Sequence, residues 1–326
     1  MIIDGKIKLL GDTHLGREFV RNVPLHRRGD REKMVWEQFE KELNPEGCEV
    51  HIHMGDLFDK PVVSNNVVLR AARLYKKAAQ TYPGTLFCIL AGNHDLSRDL
   101  EATSSFELFK AIVASVKNID VVTNEPLSLS GVSAVLCPWH PIVSAAEIGQ
   151  SVVMLSKVVT EFKHRYAFGH WDVDPRSAPF NLIPTLQLST AGVERAFTGH
   201  VHLPTQFKRD GVDVTVVGSM APFAHGEDAD GSIYKTMTLD EFDATDPASL
   251  RDCCLRIRLN EGEVWDREID CLQLQIEKVS AEAVEVIDVS LGEFDLQSIF
   301  DGRIKKANLP APVEQELRTK WSAAFT

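Results

Sequence analysis

The sequence predicts an α/β fold in layers, in which two mixed β-sheets pack face to face and helices flank them. Of the 326 residues, 44% are hydrophobic, which provides enough apolar material for one large domain and an appendage. Short apolar runs alternate with amphipathic stretches along the first part of the chain, as in α/β proteins. Beyond residue 120 the apolar runs lie closer together, which favours mixed sheets over a wholly parallel one.

The individual elements follow in order. Three apolar runs predict strands, at residues 7–10, 50–54 and 85–91. Three stretches with helical periodicity follow them, at residues 31–43, 66–79 and 101–115. The next predicted elements are strands near Val121, Leu127 and Val135, a helix at 145–160, and strands that end near Phe168, Phe197 and Val217. The pair Asp210-Gly211 predicts a hairpin turn before the last strand.

The main domain is expected to end near residue 240. Residues 221–252 hold eight acidic and two basic side chains, and the dipeptide Asp246-Pro247 within them is typical of a boundary. We therefore predict three parts, a core at 1–240, a small accessory domain at 241–300 and a C-terminal tail at 301–326. On a helix, the tail would align four apolar residues in a narrow seam, namely Val313, Leu317, Trp321 and Phe325. So short a helix needs a surface to pack on, either the chain's own core or a partner.

The composition excludes several classes of protein. The net charge of −12 argues against a protein that coats nucleic acid through overall positive charge. The six cysteines form no C-x-x-C pair, which argues against a disulfide scaffold or a zinc ribbon. No apolar run approaches the roughly 18 residues that span a bilayer, and charges interrupt the N-terminal residues where a signal peptide would be apolar. We therefore expect a cytoplasmic protein without a membrane segment.

Five short motifs at the ends of strand-like runs carry the candidate chemistry. Each begins with glycine, which lets the backbone turn closely before a polar side chain. The motifs are Gly11-Asp12-Thr13-His14, Gly55-Asp56-Leu57-Phe58-Asp59, Gly92-Asn93-His94-Asp95, Gly169-His170-Trp171-Asp172 and Gly199-His200-Val201-His202. Because ligand sites of α/β folds collect at strand ends, we expect these side chains to share one crevice. A glycine-bounded loop at residues 218–226 follows the last core strand and is a candidate border of that crevice.

The residue types of these motifs indicate a metal centre. Oxygen and imidazole ligands without a thiolate suit manganese, iron or zinc. There are seven candidate ligands, Asp12, His14, Asp56, Asn93, His170, His200 and His202. A single catalytic ion usually has only three protein ligands, so two ions that share a bridging carboxylate fit better. Such a pair activates a bridging water and stabilises an in-line displacement at phosphorus.

The motif series resembles that of the calcineurin-like metallophosphoesterase superfamily, over about residues 7–220. All five positions match its pattern D-x-H, G-D-x-x-D, G-N-H-[DE], G-H and G-H-x-H. Within the superfamily, the first, second and fifth motifs look like the SbcD-type nuclease subunit of DNA double-strand-break repair. The chain length is similar to the short, phage-like members.

The resemblance implies roles for single residues. It implies two ions that share one carboxylate, with the first on Asp12, His14 and His202, the second on Asn93, His170 and His200, and the bridge at Asp56. His94 matches the catalytic histidine that protonates the leaving oxygen, and Asp95 is expected to hold its ring. Asp59 departs from the histidine of several cellular members, and we expect it to orient a ligand. Lys60-Pro61 replaces the Arg-Gly of the protein phosphatases, which argues against phosphoprotein substrates.

A basic loop follows the first motif. It holds five candidate DNA contacts, Arg17, Arg21, Arg27, Arg28 and Arg31, against only Glu18 and Asp30. Arginine contacts to phosphate position a nucleic-acid backbone without reading its bases. The alternative is a surface loop whose arginines pair with the surplus acidic residues elsewhere in the chain.

Together these features predict a manganese-dependent DNA nuclease with two metal ions and a bridging hydroxide. The resemblance supplies the substrate, and it implies an SbcC-like coiled-coil ATPase as partner and a homodimer as one state of assembly. The C-terminal seam is the expected docking surface for the ATPase. Two alternatives stay open, an enzyme that hydrolyses small phosphodiesters or phosphomonoesters, and a non-catalytic metal-binding adaptor of the ATPase.

Overall fold

The computed structural model describes residues 1–99, 101–158, 165–228 and 230–279, together with positions 304, 313–315, 317–318 and 320. The chain divides into two compact units, residues 1–279 and 280–326. The strands and helices discussed below belong to the first unit. The domain boundaries at 240 and 300 stay predictions.

The elements of the first unit alternate as the sequence predicts. The strands are β1 (Ile2–Ile3), β2 (Ile7–Leu10), β3 (Val50–His53), β4 (Leu86–Leu90), β5 (Ile119–Val122), β6 (Leu127–Leu129), β7 (Ala134–Cys137), β8 (Tyr166–Gly169), β9 (Arg195–Thr198), β10 (Thr205–Arg209), β11 (Val212–Val216), β12 (Tyr234–Thr238), β13 (Cys254–Leu259) and β14 (Gln273–Lys278). The α-helices are α1 (Asp30–Glu42), α2 (Asn65–Thr81), α3 (Ser105–Val113), α4 (Ala145–Val158), α5 (Thr185–Thr190) and α6 (Leu239–Asp243).

Two mixed sheets form the main body. The first has the order β1-β2-β3-β4-β5, and it is parallel except at β1. The second has the order β10-β11-β9-β8-β7-β6, with antiparallel pairs at both edges. Between the sheets lie buried residues from both, including Ile52, Cys88, Phe168 and Phe197. The predicted face-to-face packing of two mixed sheets is confirmed.

Helices cover the outer faces of this pair of sheets. Phe39 of α1, Tyr75 of α2 and Phe109 of α3 share one core with the first sheet. Val152 of α4 and Leu188 of α5 share another with the second sheet. Burial of these apolar side chains holds the helices in place, because each large side chain contributes roughly 1.5–3 kcal/mol on leaving water.

Two of the differences from the predicted elements have a local reason. Helix α3 begins four residues later than expected because Ser104 caps it, accepting a hydrogen bond from Glu107 N while the Glu107 carboxylate accepts one from Ser104 N. Helix α5 was not predicted, since its six residues are too few to show a helical period.

The hairpin turn and the third sheet complete the first unit. Asp210 and Gly211 both have positive φ angles of +49° and +84° between β10 and β11, so the predicted turn is confirmed. Strands β12, β13 and β14 form a third, parallel sheet, which begins at Tyr234. Among the described helices, none combines the length and apolarity that crossing a bilayer requires.

The topology brings the five motifs to one edge. Parallel strands β2, β3 and β4 end just before the first three motifs, and parallel strands β8 and β9 lead into the last two. Because the carboxyl ends of parallel strands lie at the same edge of a sheet, these loops meet over the seam between the two sheets.

Candidate metal centre

Two of the motif glycines allow the loops to approach each other closely. A Cβ atom on Gly92 would overlap Asp56 Oδ1, and one on Gly199 would overlap Asp12 Oδ1. Glycine is therefore required at these positions by the neighbouring carboxylates. The presence of glycine at these two motif positions is thus explained by steric crowding.

Asp12, His14 and His202 form a first cluster of candidate ligands. His14 Nε2 lies 3.0 Å from His202 Nε2, which in turn is 3.7 Å from Asp12 Oδ2. Asp12 and His14 are buried, and the His202 side chain is 18% exposed. The three residues offer ligand atoms that all lie within 4.8 Å of one another.

Asn93, His170 and His200 form a second cluster. The Asn93 Oδ1 atom lies 2.9 Å from His170 Nε2 and 2.8 Å from His200 Nδ1. His170 Nδ1 donates a hydrogen bond to the Met54 carbonyl oxygen, 2.9 Å away, which leaves Nε2 as the ring atom that faces Asn93 and could bind an ion.

Asp56 lies between the two clusters. Its Oδ2 atom is 3.8 Å from His14 Nε2 in the first cluster and 3.3 Å from His170 Nε2 in the second. Asp56, His14 and His200 all have positive φ angles, between +44° and +70°, which is unfavourable for residues with a side chain. Strained backbone at three candidate ligands is typical of a functional site whose geometry is imposed by its surroundings.

The electrostatics of the centre prepare it for cations. Burial acts to raise the pKa of Asp56, but neighbouring His170 and His14 outweigh it and hold that pKa well below its usual range. Burial acts to lower the pKa of His170, whereas Asp56 and Asp12 raise it to about 9. Burial lowers the pKa of His14 to about 3 and that of His200 to about 4. At neutral pH, His14 and His200 are therefore neutral and Asp56 is ionised, whereas His170 holds a proton that a bound cation would replace.

The residues fit a pair of divalent cations. Two ring nitrogens 3.0 Å apart, beside buried carboxylates, need a proton or a cation between them. Within the described part of the chain, the buried His14 Nδ1 atom has no hydrogen-bond partner. The donor set of carboxylates, imidazoles and one amide is the one that manganese, iron and zinc accept.

His94 lies beside both clusters without belonging to either triplet. Its ring is 4.8 Å from that of His14, and its Nδ1 atom is 2.6 Å from the Asp59 carbonyl oxygen. Since a carbonyl only accepts, Nδ1 carries a proton and Nε2 is the remaining atom for proton exchange. His94 N also donates to Asp56 Oδ1, at 2.8 Å.

Asp95 does not hold the His94 ring as expected. Its buried carboxylate instead accepts hydrogen bonds from the backbone N–H groups of Leu57, Phe58 and Gly92. Asp95 therefore ties the second and third motif loops together, and the Asp59 backbone orients His94. The Asp59 carboxylate lies 3.9 Å from His14 Nδ1 and 3.8 Å from an Arg17 guanidinium nitrogen.

Two carboxylates orient histidines from behind. Glu227 Oε1 is 3.0 Å from His202 Nδ1, and Asp172 Oδ2 is 3.5 Å from His200 Nε2. A carboxylate on the far nitrogen of a histidine fixes the tautomer of the ring and raises its basicity as a ligand. The Glu227 carboxylate also accepts a hydrogen bond from Phe223 N, and the Phe223 ring packs edge-on against His14.

This arrangement of ligands agrees with a family model. The model of the calcineurin-like phosphoesterases matches residues 5–218, more than half of the chain. The chain belongs to this family. The phosphoesterase therefore hydrolyses phosphoester bonds. The family uses a dimetal site, and the chain has clusters of candidate ligands for such a site. The finer resemblance to the SbcD-type nuclease subunit stays a prediction.

Other comparisons gave distant similarities. The phosphoesterase is similar to a dimetal phosphatase from Danio rerio, with 14% identity and a TM-score of 0.39 over 66% of this chain and 87% of the other. It is similar to phosphopantetheinyl hydrolase from Mycobacterium tuberculosis, with 13% identity and a TM-score of 0.36 over 67% and 92%. The anchor in the inner membrane complex of Plasmodium matches at 12% identity and a TM-score of 0.39, over 66% and 71%. A search of curated proteins gave no match.

The five arginines of the basic loop have different surroundings in the phosphoesterase. Arg27 is buried and pairs with Asp30, Asp252 and Asp270. Two of these partners, Asp252 and Asp270, lie in the segments just before strands of the third sheet, so the acidic surplus neutralises this arginine, as the alternative interpretation proposed. Arg27 therefore contributes to packing between the loop and the third sheet rather than to a free basic surface.

Arg31 is also buried, and it donates to the Pro222 carbonyl oxygen at 2.6 Å. Its guanidinium group lies over the Phe19 and Tyr234 rings. Arg17 remains partly exposed beside the first cluster, and Arg21 and Arg28 are exposed. DNA contacts therefore stay a prediction for these three arginines, while Arg27 and Arg31 have partners within the chain.

Sequence reasoning missed Glu227 as a functional residue. It was counted only as one member of an acidic stretch, although the loop at residues 218–226 just before it was a candidate border of the site. That loop does border the first cluster, because Met220 N donates to the Asp12 carbonyl oxygen, 2.9 Å away. The signal available in the sequence was an acidic residue next to a loop already expected at the site.

Proposed function

We propose that this phosphoesterase is a metal-dependent DNA nuclease that hydrolyses phosphodiester bonds, with manganese as its metal. The motifs that resemble the SbcD-type subunit support DNA as the substrate. The oxygen and nitrogen donor set supports manganese over a metal that requires thiolates. The six buried, unpaired cysteines are compatible with the reducing cytoplasm, which we propose as its location.

The observation that carries this proposal is open space on both sides of the ligand clusters. A cavity of about 280 Å³ lies beside His14, with Arg17 and Lys60 in its wall. A second cavity of about 420 Å³ lies beside Asn93 and His200. A phosphodiester carries a chain on each side of its phosphorus, whereas a monoester carries one. Space on both sides therefore favours a diester.

The residues of the chain would have separate roles in metal binding and in proton transfer. The first cluster would hold one ion, the second cluster the other, and the Asp56 carboxylate would contact both. When bound, the two ions would supply Lewis acidity and an activated water for displacement at phosphorus. His94, oriented by the Asp59 carbonyl oxygen, would hold at Nε2 the proton that the departing ribose oxygen needs. Glu227 and Asp172 would keep His202 and His200 in their tautomers.

A partner is part of the proposal. We propose an SbcC-like coiled-coil ATPase that docks on the C-terminal seam, and self-association as a homodimer. Val313 and Leu317 are helical, and they are 45% and 39% exposed. Trp321 and Phe325 lie outside the described residues, as does His164.

The test compares two substrates in the same preparation. Linear duplex DNA and bis(p-nitrophenyl) phosphate are incubated with the protein and Mn²⁺, and cleavage of both is followed. We expect both to be hydrolysed, and we expect both activities to fall together in Asp56→Asn, which controls for a contaminating nuclease. Intact DNA beside turnover of the small ester would replace our proposal by the small-phosphoester enzyme. Metal binding without turnover of either substrate would favour the non-catalytic adaptor.

A further inference from the structure

The cavity beside the second cluster has an aromatic wall. It opens next to Asn93 and His200, and Phe180, Pro179 and Trp139 line it. Trp139 is buried, whereas Phe180 is 45% exposed to solvent. An exposed phenylalanine at the edge of a metal centre provides a flat apolar surface for a ligand rather than for the core.

The loop that carries Phe180 is attached to the metal centre. Asn181 Nδ2 donates to the His170 carbonyl oxygen at 3.1 Å, and Asp172 N donates to the Asn181 carbonyl oxygen at 3.0 Å. Asn181 is itself buried. The position of Phe180 is therefore coupled to that of a candidate metal ligand, and a ring stacked on it would lie at a fixed distance from the scissile phosphate.

A free positive charge lies in the same cavity. Arg98 contributes to the lining, its side chain is exposed, and it makes no ion pair within the described part of the chain. Arginine binds phosphate through a planar array of donors. The cavity thus combines an aromatic surface with a cation that no carboxylate among the described residues neutralises.

The cavity beside His14 also has aromatic side chains and a lysine in its wall, namely Phe19, Trp36 and Lys60, but it differs in its carboxylates. Its arginine, Arg17, already lies 3.8 Å from the Asp59 carboxylate and over the Phe223 ring. Two carboxylates, Glu18 and Glu32, also line it. Carboxylates repel a phosphate group, so this side is less suited to a nucleotide.

We propose that the cavity lined by Phe180 and Arg98 is a nucleotide subsite. The base of the nucleotide next to the scissile phosphate stacks on Phe180, and the neighbouring phosphate binds Arg98. The inference rests on the proposed hydrolysis of phosphodiesters, and it names the substrate class more narrowly as a nucleotide ester. Stacking does not read the hydrogen-bonding edge of a base, so the subsite would accept all four bases.

The experiment uses small nucleotide esters. The p-nitrophenyl esters of thymidine 5′-monophosphate and of thymidine 3′-monophosphate are compared with bis(p-nitrophenyl) phosphate, which has no base. In Phe180→Ala the ratio of kcat/KM for at least one nucleotide ester to that for the plain diester is expected to fall about 5-fold to 100-fold. Binding of thymidine 5′-monophosphate, measured by calorimetry in the His94→Ala background, is expected to weaken by a similar factor.

Matched controls separate the subsite from general damage. Leu186→Ala removes an exposed apolar side chain of α5 outside the cavity, and Arg73→Ala removes an exposed arginine of α2. Neither should change the ratio. Arg98→Ala removes an exposed side chain, so its folding is expected to be normal, and it keeps the proposal testable if Phe180→Ala proves unstable. It should lower the ratio of kcat/KM for a thymidine ester that carries a second phosphate on its free sugar hydroxyl group to that for the same ester without this phosphate. Unchanged ratios in both Phe180→Ala and Arg98→Ala would overturn the proposal.

The two proposals fail in different ways. If DNA stays intact while Phe180→Ala lowers the ratio for a nucleotide ester, the subsite stands and the DNA nuclease does not. If DNA is cleaved but the ratios are unchanged, the nuclease stands and the subsite does not.

Discussion

The two ligand clusters differ in what lies behind them. The loop at residues 218–226 and the following Glu227 lie against the first cluster. The Phe223 ring is 5.1 Å from that of His14, and Glu227 contacts the far side of His202. The second is supported mainly from the strand ends, through the Met54 carbonyl oxygen behind His170, and it opens into the larger cavity. The first cluster is therefore the more covered one, beside the smaller cavity, and the second is the more open one, beside the larger cavity.

This difference indicates that the two clusters depend on different supporting residues. The covered cluster depends on a segment that leads into the third sheet, so its ligands are coupled to residues far from the five motifs. The open cluster depends on residues within the motifs and leaves room for substrate. Substitutions behind each cluster are therefore expected to act on one ion at a time.

Asp56 lies between the two clusters and contacts both. Its substitution should therefore weaken the binding of both ions, not of one. For Asp56→Asn we expect hydrolysis of bis(p-nitrophenyl) phosphate to fall at least about 1000-fold, because several kcal/mol of transition-state stabilisation depend on both ions. Calorimetric titration with Mn²⁺ should show weaker binding at two sites. Weakening at one site alone would contradict a bridging position.

His94→Ala should separate catalysis from metal binding. We expect kcat for DNA to fall about 100-fold to 10,000-fold, the range for removal of a general acid, because the departing ribose oxygen would lack its proton donor. Two equivalents of Mn²⁺ should still bind, as measured by calorimetry. Unchanged turnover would exclude His94 from the mechanism, and lost metal would make it a ligand.

Glu227→Gln and Asp172→Asn test the two clusters against each other. Each removes the charge behind one histidine, so each should weaken Mn²⁺ binding about 10-fold to 100-fold at one site and leave the other unchanged. The conservative Glu227→Asp variant should recover part of the affinity. Glu125→Gln, at an exposed position, is the control. Equal weakening of both sites by either variant would contradict independent support of the clusters.

The sequence predicted the convergence of the five motifs better than their surroundings. Strand ends and glycines are local signals, so the convergence of residues as distant as Asp12 and His200 followed from α/β topology alone. The partners of Arg27 and the position of Glu227 depend on how the third sheet packs on the core, which no local pattern encodes. Charge counts along the chain correctly indicated a surplus of acidic residues but not which arginine they would neutralise.

His51 provides a histidine that is buried like the ligands but belongs to neither cluster. It lies on β3, three residues before the turn to the second motif, and its Nε2 atom donates to the Glu42 carbonyl oxygen at 3.0 Å. Burial lowers the pKa of His51 from 6.5 to about 4. Its Nδ1 atom has no hydrogen-bond partner within the described part of the chain.

Because the pKa of His51 is lower in the folded protein than in the unfolded chain, acid favours the unfolded chain between these values. The contribution of His51 is fully present above pH 6.5, and it is lost as the pH falls to about 4, by about 3 kcal/mol in the free energy of unfolding. His51→Gln keeps an N–H donor for Glu42 and removes the titration, so its stability should depend less steeply on pH over this range. Urea unfolding of the metal-free protein from pH 4 to pH 7 measures how steeply the free energy of unfolding depends on pH, and kcat at neutral pH should stay close to that of the wild type.

An unchanged pH dependence would mean that His51 is already protonated in the folded protein. A large loss of kcat would mean that strand β3 transmits changes to Asp56, in which case the loss of activity in ligand variants could not be assigned to the clusters alone.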